Sequence, residues 1–135
     1  MKTLINPSEL YDGSSFGMSQ AVVLEKHGLV FVSGQVDWNR DFQITETSFE
    51  GQLKSALRNL EIVLREANAS VKGLLQVRIF VRGELADYME MAAPILAAFL
   101  GESRPAVTGV GVASLADREL LVEVEAIAIR DPALA

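Results

Sequence analysis

Only two stretches of this 135-residue chain carry an apolar stripe at helical spacing, whereas five or six others read as strands. The first stripe is Phe49, Leu53, Ala56, Leu57, Leu60, Val63, Leu64 and Ala67. Thr47-x-x-Glu50 ahead of it fits a capping box, and Asn68 is a stop signal behind it. The second stripe is Leu85, Tyr88, Met89, Ala92, Ile95, Leu96 and Phe99, closed by Gly101. Pro94 lies inside it and predicts a kink.

The strand-like runs are Val22–Leu24 and Leu29–Gln35, joined by the turn Lys26-His27-Gly28, then 75–82, 107–113 and 120–129, with a further short run at 2–5. In the third of these, Leu75, Val77, Ile79 and Val81 alternate with Gln76, Arg78, Phe80 and Arg82, which gives one apolar face. The order β-β-α-β-α-β-β predicts an α+β fold, a mixed sheet with both helices packed on one face. Asp37–Glu46 is polar and reads as a loop, and Trp38 within it either walls a nearby cleft or caps the edge of the core, the second being the expected reading.

Two helices leave the second face of the sheet uncovered. Glu123 and Glu125 are two residues apart and therefore share a side of their strand, together with Leu121, Ile127 and Ile129. A face mixing apolar residues with carboxylates predicts burial against other copies of the chain. The composition agrees, since half of the residues are apolar, more than one core of this size consumes. One domain spanning residues 1–135 is expected, without repeats or linkers.

Charge and composition exclude several classes of function. The net charge is −6 and the basic residues are scattered, so neither phosphate backbones nor anionic membrane surfaces are expected partners. The chain has no cysteine, which removes disulfides, thiol nucleophiles and thiolate metal sites. His27, the one histidine, sits in a turn beside Gly28, so neither a conventional metal site nor a Ser-His-Asp triad is expected. Pro7 interrupts the N-terminus before a signal-peptide hydrophobic region, and no apolar run approaches the ~20 residues that span a bilayer. The expected compartment is the cytosol.

Several segments carry a family resemblance: Ser19-Gln20-Ala21, Phe31-Val32-Ser33-Gly34-Gln35, the helix around Gln52–Ala67, Arg104-Pro105-Ala106 and Val122-Glu123-Val124-Glu125-Ala126-Ile127-Ala128. In that order and spacing, from Asn6 to Arg130, the chain resembles the Rid (reactive intermediate deaminase, YjgF-like) family. The resemblance implies a chorismate-mutase-like fold and a homotrimer with a ligand cleft between each pair of subunits. It also implies cofactor-independent hydrolysis of enamines and imines such as 2-aminoacrylate to a carbonyl compound and ammonia. In such proteins an Arg holds the substrate carboxylate and a Glu positions the attacking water.

The family's catalytic Glu matches Glu123. Its anchoring Arg follows a Pro-Ala pair, but Pro105-Ala106 is followed here by Val107. Met18 stands where a Tyr usually precedes Ser-Gln-Ala, Gly17 stands for a Pro, and Ala92 for an Asn common on the second helix. The backbone-built parts of the cleft match Ser33-Gly34 and Thr108-Gly109. Arg104 is the nearest substitute anchor, with Arg78 and Arg82 as other candidates. Two alternatives stay open on the residues alone. Glu123 is either a catalytic carboxylate or half of an interface ion pair, and Arg104 is either a ligand anchor or a solvated side chain. Glu125 reads as structural. The resemblance therefore points to an imine or enamine other than 2-aminoacrylate, or else to a non-catalytic trimer that binds a small metabolite.

Overall fold

In the computed structural model, which describes residues 1–135, the strand-like runs form one six-stranded sheet in the order β1-β2-β3-β6-β4-β5. The strands are β1 (Lys2–Ile5), β2 (Ala21–Leu24), β3 (Leu29–Gln35), β4 (Leu74–Arg82), β5 (Ala106–Val112) and β6 (Val122–Ile129); the helices are α1 (Phe49–Glu66) and α2 (Met89–Leu100). The predicted α+β class and mixed sheet are what the chain forms. β1, β2 and β3 run as an antiparallel meander, β3 and β4 both pair antiparallel with β6, and β4 and β5 are parallel because α2 crosses over between them. Gly28 closes the β2–β3 turn at φ +68°, a conformation that costs a glycine little.

The alternating pattern of β6 sorts its side chains by face. Val122, Val124, Ala126 and Ala128 are buried, while Glu123, Glu125 and Ile127 look outward. Every residue of the first helical stripe is buried, and α1 lies over β3 and β6. α2 sits beside α1 and buries only Ala92 fully, with Ile95, Leu96 and Phe99 half-buried against the core. Met89 of the second stripe is exposed, and the segment Leu85–Asp87 is a separate 3-10 turn. Helical backbone continues on both sides of Pro94. No helix is long and apolar enough to cross a membrane.

Two local expectations are corrected. Ser48, not Thr47, caps α1: its Oγ accepts a hydrogen bond from the Gly51 amide at 3.0 Å. The buried row of β4 begins at Leu74 rather than Leu75. A register shift between Leu74 and Gln76 against β6 turns Leu75 out to 46% exposure and puts Leu74 in the core. From Val77 onward the predicted alternation holds.

A second irregularity matters more. On β3, Val32 pairs with Ala126 but Gln35 pairs with Val124, so three steps along β3 oppose two along β6. The bulge falls on Ser33-Gly34. Bulges bend a strand and re-aim its side chains, and they concentrate beside functional sites.

Candidate active site at the strand bulge

The two motifs flanking the bulge form one hydrogen-bonded unit. Buried Gln35 donates through Nε2 to the Gln20 Oε1 at 3.0 Å and to the Ser33 carbonyl at 3.1 Å. Buried Gln20 donates from its own Nε2 to the Tyr11 carbonyl at 3.0 Å. Ser33 Oγ donates to the Ser19 carbonyl at 2.6 Å. Each buried amide thereby has partners, as burial demands, and the loop before β2 is tied to the bulge. Ser-Gln-Ala and Ser-Gly-Gln are thus two halves of a single brace.

Glu123 packs directly on Gly34. A Cβ added at Gly34 would lie 2.5 Å from both Cδ and Oε2 of Glu123, so only glycine leaves the carboxylate its place. Glu123 is half-buried and belongs to none of the chain's salt bridges, whereas Glu125 pairs with Arg78 at 3.1 Å. Burial in the cleft pushes the Glu123 carboxyl above the usual carboxylate range, and the negative charge of Glu125 pushes it further.

A cavity of about 510 Å³ opens over Glu123, lined also by Tyr11, Phe16, Met18, Ser33, Gly34, Val36, Trp38 and Ala116. Four predicted site residues, Met18, Ser33, Gly34 and Glu123, therefore come together. The other four do not join them within one protomer. Arg104, Val107, Thr108 and Gly109 lie at or just before β5, which is two strands away from β6 across β4, or about 10 Å at the usual interstrand spacing. Arg104 stands exposed in the turn before β5 at φ +46°. Val107 and Gly109 pair with Val77 and Ile79, on the side facing the helices, and Thr108 pairs with Arg78 on the open side. β5 is the exposed edge of the sheet, with Val107 47% accessible.

Four lining residues carried no signal in the sequence: Tyr11, Phe16, Val36 and Ala116. Tyr11 and Phe16 precede the Ser-Gln-Ala motif in an irregular segment with no periodicity to mark them. Of the two readings of Trp38, the cleft wall describes it: the half-buried ring lines the cavity. The loop carrying it is clamped to α1 by buried Asp37, which accepts hydrogen bonds from Thr45 N and Oγ1, Glu46 N and Ser55 Oγ. Asn59 Nδ2 donates to the Val36 carbonyl at 2.9 Å beside it. Phe42 in this loop adopts φ +59°, a strained conformation for a bulky residue, and places its ring 4.7 Å from Tyr11 and 5.4 Å from Trp38. The Tyr11 phenol is raised above its ordinary pKa, chiefly by burial; a contact with Gln20 opposes this and the Glu123 charge adds to it.

Chemically, the cavity offers a half-buried carboxylate, a hydroxyl at Ser33 and aromatic walls. No cationic side chain lines it, and no cluster of His, Asp and Glu gathers with metal-binding geometry anywhere in the chain.

Residues 14–130 match the family model described as Endoribonuclease L-PSP. A RutC family protein of Pyrococcus abyssi is 30% identical over 103 residues, covering 76% of this chain and 79% of its own. The yeast protein HMF1 of Saccharomyces cerevisiae is 28% identical over 117 residues, covering 85% and 88%. A crystal structure of a YjgF/YER057c/UK114 family member from Mycobacterium tuberculosis superposes with a TM-score of 0.80 at 29% identity, covering 96% of this chain and 99% of that one. The chain belongs to the endoribonuclease L-PSP family, the group that includes the YjgF and Rid proteins.

Proposed function

We propose that the chain is a cofactor-independent imine or enamine hydrolase whose working form is a homotrimer. In each cleft, Met18, Ser33, Gly34 and Glu123 of one protomer face Arg104, Val107, Thr108 and Gly109 of the next. The observation that carries this reading is Glu123: half-buried, without a cation partner, fixed against Gly34 at a strand bulge and open to a cavity.

The chemistry follows from that placement. Water adds across the C=N bond of a protonated imine, its oxygen bonding to carbon while the C=N π electrons move to nitrogen. Glu123 orients this water and takes the proton it sheds. The proton then passes to the nitrogen of the carbinolamine; the hydroxyl gives its own proton to Glu123 as the C=O bond forms and the C–N bond breaks, and the departing ammonia takes that proton as ammonium. A carboxylate of raised pKa suits both halves of this transfer near neutral pH. Holding the water rather than waiting for it to collide is itself worth several orders of magnitude in rate.

By the family resemblance, Val107 occupies the position of the carboxylate-anchoring Arg, which argues for a substrate other than 2-aminoacrylate. A charge-assisted hydrogen bond is worth roughly 1.5–3 kcal/mol, or about ten- to a hundredfold in binding. The same substitution favours a second reading, a trimer that binds a small metabolite without turning it over. The family's endoribonuclease description finds little support here, since the net charge is −6 and the cavity has no basic side chain. Incubating the protein with freshly generated imines and following ammonia release decides between hydrolase and binder. Faster release than in buffer supports the hydrolase, and a flat response across the panel overturns it.

A further inference from the structure

The walls of the cavity say more about its ligand than the motif residues do. Tyr11 and Trp38 meet edge to face with centroids 5.4 Å apart, Phe42 backs both, and Phe16 stands 5.8 Å from Phe42 and 65% exposed. Met18 lies against the same space, adaptable in shape and favourable beside aromatic rings. The one charge among the lining side chains is the carboxylate of Glu123. In one protomer the cavity of about 510 Å³ falls in the range that takes small-molecule ligands, roughly 300–1,000 Å³, before the β5 edge of the next copy closes over it. An α-carboxylate placed against Glu123 would meet a like charge, and the lining of this protomer holds no cation to offset it; Arg104 of the next copy is the one cation that the proposed cleft adds.

Resting on the hydrolase reading above, we propose that the substrate is an aryl-bearing imine without a carboxylate. Its iminium nitrogen lies against Glu123 and its ring lies among Tyr11, Phe16 and Trp38. An iminium cation gains from the carboxylate and from the negative faces of the rings, and the apolar remainder is removed from water. The reaction balances as R–CH=NH₂⁺ + H₂O → R–CHO + NH₄⁺. A two-electron oxidation of a primary arylalkylamine is the class of reaction that supplies such an imine, and an aldehyde is what it leaves.

Trp38 is the chain's single tryptophan, so its emission reports on this cavity. The test titrates the full-length protein with 2-phenylethylammonium, phenylacetate and pyruvate by calorimetry, with Trp38 fluorescence followed in parallel. The ammonium should bind saturably, shift Trp38 emission and bind at least about tenfold more tightly than either carboxylate. Glu123→Gln should erase that preference by weakening the ammonium while leaving phenylacetate unchanged or tighter. Pyruvate or phenylacetate binding as tightly as the ammonium overturns the proposal, as does an ammonium affinity that Glu123→Gln leaves unchanged. Turnover is measured separately on the imines of 2-phenylethylamine and of alanine. Ammonium selectivity without turnover of either supports the ligand class and overturns the hydrolase; hydrolysis of the alanine imine alone does the reverse.

Discussion

Gly34 and Glu123 define the site through a contact of less than a methyl group's width. Because the added Cβ of Gly34→Ala meets the far end of a side chain rather than backbone, the fold accommodates it by moving the Glu123 carboxylate. The expected outcome is a thermal midpoint within a few degrees of the parent, with imine hydrolysis reduced at least about tenfold, since small misplacements of a positioning group are costly. Glu123 itself makes a second test. Burial and Glu125 raise its carboxyl above the ordinary value of 4.5, so the folded chain holds this proton more tightly than the unfolded chain. Below the unfolded value both states are protonated and nothing is gained or lost. As pH rises through the raised folded value, the ionised carboxylate becomes a cost, fully present above it. Glu123→Gln is therefore expected to be more stable than the parent at neutral pH, with the advantage fading toward about pH 4. Urea melts at the two pH values check this. A less stable Glu123→Gln at neutral pH would reveal a cation held against Glu123 across a subunit boundary.

The elements follow from periodicity wherever periodicity is regular. The stripe from Phe49 to Ala67 and the alternation of Val122–Ile129 reappear as buried faces. What the pattern missed are the places where one residue breaks it. Ser48 and Thr47 are chemically equivalent caps in sequence, and only the direction of the incoming loop, set by buried Asp37, chooses between them. Ser48→Ala is expected to cost about 1 kcal/mol and Thr47→Ala much less, measured by chemical denaturation. Leu74 and Leu75 compete in the same way for one core position, and the register shift gives it to Leu74. Leu74→Ala should cost about 2–5 kcal/mol, the range for emptying a core site. The bulge at Ser33-Gly34 was likewise hidden, because Ser-Gly-Gln reads as an ordinary strand end until β6 is laid beside it. Tyr11 and Phe16 stayed hidden because they lie on irregular segments whose positions depend on distant partners.

For the whole molecule, the predicted site residues fall into two groups on different strands, with β4 between them. The open face of the sheet adds Phe31 at 45% and Ile129 at 43% exposure, large apolar side chains beside the Arg78–Glu125 pair. Both features fit an assembly in which the β5 edge of one copy covers the Glu123 cavity of the next, and light scattering at micromolar concentration should find a trimer. A stable monomer would leave each half-site alone and remove the proposed cleft. The account rests most heavily on Glu123 as the group that positions water. The most direct test compares the parent and Glu123→Gln for ammonia released from a panel of freshly generated imines, with light scattering on both. The parent is expected to hydrolyse at least one imine faster than buffer, and Glu123→Gln to lose that rate while keeping the parent's assembly. Full turnover by a Glu123→Gln protein of unchanged assembly would contradict the account.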